Sequence, residues 1–180
     1  MGKKDRLIRF GGNNENNKSK RKVSKDNLEG KSQQELFNDA VELYQRAVSG
    51  NGKCARQAVD LFKHLSDQVP GNSLIMAYYG ASNVLMGRYE KIPMRKGTWI
   101  NNGLDIIDKA VSKDPYNTKI RILRAYACFH LPAFFNRIST TINDFEYLLA
   151  QNEREPGCIS EHIARKIKSD LEVARKKFRP

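Results

Sequence analysis

The chain has 180 residues, with 32 Lys and Arg against 20 Asp and Glu and a formal net charge of +12. That is one domain's length, enough to bury a core without disulfides or metals. Its three cysteines, an odd number with no close pairing, exclude a disulfide framework and fit a reduced, cytoplasmic setting. No stretch approaches the roughly 18 apolar residues of a membrane span, so no membrane partner is expected.

Residues 1–31 hold ten basic and four acidic side chains, half of the whole net charge, around "GGNNENNKSKRK". Ordering so polar a segment costs entropy with no apolar return, so it reads as a disordered basic tail ahead of a helical domain at 32–180. The "LIRF" behind Lys3, Lys4 and Arg6 is too short for a signal-peptide core. The tail is either a solvated leader or, through Lys18, Lys20, Arg21 and Lys22, a phosphate-neutralising arm for nucleic acid.

Ser32 and Glu35 form an S-x-x-E capping box, and Leu36, Phe37, Ala40, Val41, Tyr44, Ala47 and Val48 follow at helical spacing up to Gly50. A second helix carries Ala55, Ala58, Val59, Phe62, Leu65 and Val69 and ends at Pro70-Gly71. A third starts at Asn72 as its cap and places Gly80 where a helix prefers a side chain, which close approach of another helix would explain. Residues 86–98 read as a basic loop containing Pro93, Arg95 and Lys96, and a fourth helix runs over about 99–112. A fifth, rich in Ala and aromatics, is closed by Pro132, a sixth covers about 136–151, and a seventh from Ser160 shows Ile163, Ile167, Leu171, Ala174 and Phe178. The expectation is an all-α chain of seven helices.

Twice the chain writes a helix of small residues, then Pro, one residue, Asn and a new apolar run: Pro70 with Asn72, and Pro115 with Asn117. Counted back from the two prolines, Ala58, Phe62 and Leu65 match Gly103, Ile107 and Ala110; counted forward, the small positions are Gly80 and Ala125. This resembles the tetratricopeptide repeat (TPR), a 34-residue helix pair whose small residues let backbones approach and whose proline ends the second helix. The repeats depart from that length, and Arg124 stands where a large apolar residue belongs. The resemblance implies a TPR-like right-handed superhelix of about three helix pairs plus a C-terminal capping helix. More narrowly, "RKGTW", "LDIIDKAVSKDPYNTKIRILRA" and "LPAFFNRISTTINDFEYLL" resemble blocks of a functionally uncharacterised family of bacterial TPR-like proteins.

That architecture implies a non-catalytic protein- or peptide-binding scaffold or adaptor that uses its concave face. The candidate groove residues are Asn38, Glu42 and Gln45, then Tyr78 and Asn83, then Lys119, Arg121 and Arg124. Arg121 and Arg124 share a helical face that could grip an acidic ligand, or else pair internally with Asp144 or Glu146. The alternative is an RNA- or ribosome-associated protein using the tail and the 86–98 loop, with Tyr89 and Trp99 as stacking surfaces beside Arg95 and Lys96. No catalytic motif is present, and the Cys and His residues lack the spacing of a zinc site, so neither a catalytic residue, a metal nor a cofactor is expected.

Overall fold

The computed structural model describes residues 30–178. The tail expected at 1–31, with Lys18, Lys20, Arg21 and Lys22, lies almost wholly outside the described residues. Those described form α1 (Gln33–Val48), α2 (Gly52–Gln68), α3 (Ser73–Tyr89), α4 (Pro93–Lys113), α5 (Thr118–Phe129), α6 (Ile138–Arg154) and α7 (Glu161–Phe178), with a 3-10 turn at Ala133–Phe135. All seven expected helices are present, and no strand occurs among the described residues.

Capping side chains set the helix starts. Ser32 and Glu35 make the reciprocal box, the Ser32 amide donating to Glu35 Oε2 at 2.8 Å. Asn72 Oδ1 accepts from the amides of Leu74 and Ile75 at 3.0 and 3.1 Å, and Asn117 Oδ1 does the same for Lys119 and Ile120 at 3.1 and 3.3 Å. The repeated Pro-x-Asn is thus a stop followed by a start: proline follows the end of one helix and asparagine caps the next.

The helices pack in sequential pairs, and α3 also touches α1 and α5, so it has neighbours on nearly every side. Its buried residues accordingly include Ile75, Ala77, Tyr78, Gly80, Ala81 and Asn83, spread around the helix rather than along one stripe. Close crossings fall at small residues. A Cβ on Gly80 would lie 2.8 Å from the Gly103 carbonyl oxygen and from the Ile107 nitrogen, and one on Gly103 would lie 2.6 Å from Gly80 O. The expected reason for Gly80 is therefore met: backbone packs directly on backbone where α3 crosses α4. At the next pair Thr141 of α6 abuts α5, its hydroxyl 3.4 Å from the Ala125 carbonyl oxygen.

One core joins α1 to α5 around a cluster of Phe37, Tyr44, Phe62 and Tyr78, in which Phe62 and Tyr78 stack at 5.1 Å. A second joins α5, α6 and α7 through Tyr126, Phe129, Phe145, Ile167 and Leu171. The segment 86–98 is not a loop. Helix α3 continues to Tyr89, and Pro93 occupies the first turn of α4, where its missing N–H removes no helical bond. Only residues 90–92 connect the two helices, and Arg95 and Lys96 are exposed on the first turn of α4.

Candidate functional site

The candidate groove residues separate into two groups. Tyr78 is 5% exposed and stacked on Phe62, and Asn83 is 3% exposed with its amide donating to the Tyr79 carbonyl at 2.7 Å. Both are packing residues, a correction to their assignment as ligand contacts: α3 is packed by four helices, and the Asn83 amide turns inward to its own helix backbone. Asn38, Glu42 and Lys119 remain exposed.

Arg121 and Arg124 are brought together, but by an internal carboxylate. Asp144 of α6 is fully buried and receives Arg121 Nη1 at 2.7 Å and both Nε and Nη2 of Arg124 at 2.7 and 2.8 Å, the last two a bidentate fork. Arg121 Nε donates to the Pro115 carbonyl at 2.6 Å, and its guanidinium lies 3.8 Å from the Tyr147 ring centroid. Arg124 Nη1 reaches Asp108 Oδ1 at 3.2 Å, while Arg137 Nη1 holds Asp108 Oδ2 at 2.7 Å. Three guanidiniums and two carboxylates thereby tie α4, α5 and α6 together. The Asp144 and Asp108 charges hold the Arg124 guanidinium even more firmly protonated, against the opposing effect of burial. These arginines are structural cations already provided with anions, so they cannot also serve as an open carboxylate clamp.

The sequence offers Asp144 as an internal partner through helical spacing, whereas Asp108, Arg137 and Tyr147 join the cluster only in three dimensions. The available signal was a charge inside an apolar stripe, since Asp144 falls between Thr141, Phe145 and Leu148, all fully buried. A carboxylate in such a position requires a cation from the facing helix.

The opposite chemistry appears at the end of the molecule where α1, α3, α5 and α7 finish. Tyr89 donates its hydroxyl to the Ala47 carbonyl, and its ring fills the space where a Gly52 side chain would stand. Arg56 covers Trp99, its guanidinium carbon 4.8 Å from the ring. The two aromatics proposed as base-stacking surfaces are therefore both engaged within the protein. Glu90 turns back to accept from the Ile92 and Lys91 amides, which hold its carboxyl below the usual range.

Among the described residues no group of three or more His, Cys, Asp or Glu could hold a metal. Burial pushes the Cys128 thiol up to about 12, so it behaves as a packed apolar group. No helix among the described residues is long and apolar enough to cross a membrane. No family model matches the chain, and no curated protein or solved structure matches it.

Proposed function

We propose that the chain is a non-catalytic protein- or peptide-binding adaptor built as a TPR-like right-handed superhelix of three helix pairs and a capping helix. The carrying observation is a shared register: Ala58, Phe62 and Leu65 on α2, Gly103, Ile107 and Ala110 on α4, and Thr141, Phe145 and Leu148 on α6 are all buried at the same steps of four and three. Equivalent helices repeating the same contact make a stack whose inner row α1, α3 and α5 would face a ligand. Membership of the bacterial TPR-like family and a cytoplasmic setting belong to the same reading.

With Tyr78, Asn83, Arg121 and Arg124 committed inside, recognition would fall to Asn38 and Glu42 on α1 and Lys119 on α5, all exposed. The test is cross-linking and co-purification from cells with the wild-type chain and an Asn38→Arg, Glu42→Arg, Lys119→Glu variant of unchanged helicity. A discrete protein held by the wild type at high salt and lost by the variant supports the adaptor. Equal recovery with both refutes recognition through this face.

A further inference from the structure

We propose that the end of the stack around the α3–α4 turn is a docking surface for an anionic lipid bilayer. The turn projects the most exposed apolar groups of the region: Met94 is 87% exposed and Ile92 46%, with Phe134 of the neighbouring 3-10 turn at 80%. These two turns lie at one end, because Phe135 packs against the cluster that Ile100 and Leu104 of the first half of α4 form with Val84 near the end of α3 and Cys128 near the end of α5. Around them stand Lys53, Arg56, Arg88, Lys91, Arg95 and Lys96, all exposed. Arg56 acts on the Asp60 carboxylate and Arg95 on that of Glu90, but none of the six comes within salt-bridge distance of a carboxylate among the described residues, whereas Arg121, Arg124, Arg137 and Arg175 do. The nearby Glu90 is turned onto its own turn's amides.

Protruding apolar tips ringed by an excess of exposed cations match the chemistry of a lipid interface. The side chains enter the acyl boundary, and the ammonium and guanidinium groups stay among the headgroup phosphates. A second copy is disfavoured because two such edges repel. Nucleic acid would want open aromatic faces beside the cations. Here Tyr89 and Trp99 are occupied, Met94 and Ile92 offer no ring to stack, and the exposed ring of Phe134 is packed against Phe135 at 4.5 Å between centroids. Adsorption of this kind needs no membrane-crossing helix.

The test is co-sedimentation of the full chain with vesicles of phosphatidylcholine alone or with 30% phosphatidylglycerol added. It uses the wild type, a Met94→Ser, Phe134→Ser pair and an Arg95→Gln, Lys96→Gln pair, with oligouridine and polyglutamate as competing probes. At such exposure neither pair should disturb the fold, which circular dichroism checks. The wild type should pellet only with the anionic vesicles. The apolar pair should lose about tenfold or more in partition, and the basic pair roughly 25-fold at low salt. An apolar pair that binds like the wild type would overturn the proposal, leaving charge alone, the N-terminal segment included. Displacement from vesicles by oligouridine or polyglutamate at lower concentration than the lipid would overturn it in favour of that polyanion.

Discussion

Replacing Asp144 by Asn removes one negative charge and almost no volume from a site with no solvent access. In the wild type its two oxygens accept three N–H groups at 2.7 to 2.8 Å from guanidiniums whose side chains are only 16% exposed. An amide offers one acceptor oxygen and aims its own N–H₂ at a cation, so at least one guanidinium is left unpaired. Breaking a buried pair from one side costs about 3–5 kcal/mol. Arg124 keeps Asp108 and Arg121 keeps the Pro115 carbonyl and Tyr147, which places the expectation at the lower end, about 3 kcal/mol. For a domain of this size that lowers Tm by roughly 6–12 °C. Urea and thermal denaturation followed by circular dichroism measure it. A combined Arg121→Met, Arg124→Met, Asp144→Leu variant should recover most of the loss, because an apolar replacement leaves no orphan charge. A loss below about 1 kcal/mol for Asp144→Asn, or a triple variant worse than the single, would refute the account of α5 and α6 as joined through this carboxylate.

Gly80→Leu should destabilise by about 3 kcal/mol in the same assay, since even its Cβ meets Gly103 and Ile107 backbone at 2.8 Å and neither can yield. Ser82→Ala should leave stability unchanged or raise it by up to about 1 kcal/mol, because Ser82 Oγ is buried with no hydrogen-bond partner. Burial pushes the Tyr78 phenol up to about 12 from its ordinary 10, so the fold favours the neutral form. Its contribution is present below pH 10 and lost as pH rises toward 12; Tyr78→Phe should flatten the fall in stability over that window in pH-dependent urea melts. Arg124→Glu would set a third carboxylate against Asp144 and Asp108, so unfolding of the α5–α6 region rather than selective loss of a ligand is the expected result in hydrogen exchange.

The helices were legible wherever one residue carries an unambiguous local instruction. Ser32 with Glu35, Gly50, Asn72 and Pro132 each mark a boundary through backbone chemistry that no tertiary contact overrides. Pro93 misled because the same residue that ends one helix starts another; its position relative to Ile100, which fills the space a Gly87 side chain would take, is visible only in three dimensions. The close approach at Gly80 was readable because only a missing side chain explains glycine mid-helix. The proline count marks Gly103 only as a small position; that it is the residue facing Gly80 is visible in three dimensions. The groove was not readable, because helical periodicity gives a face but not the number of neighbours around it. Tyr78 and Asn83 lie on a helix surrounded by others, and Arg121 and Arg124 meet a carboxylate 20 or more residues away. The third member of the repeated register, Thr141 with Phe145 and Leu148, was hidden because no proline follows it at the spacing found after Leu65 and Ala110.

The carboxylate at Asp144 also orders events during synthesis. Arg124 leaves the ribosome 20 residues before its main partner and Arg121 leaves 23 before. The four helices ahead of them complete the Gly80–Gly103 crossing from their own residues, so that half of the molecule can close while the rest is still being made. Helix α5 can place Ile120 and Leu123 in that first core and Arg124 beside Asp108, but the main anion for its two guanidiniums arrives only with α6, so its docking is completed at that later stage.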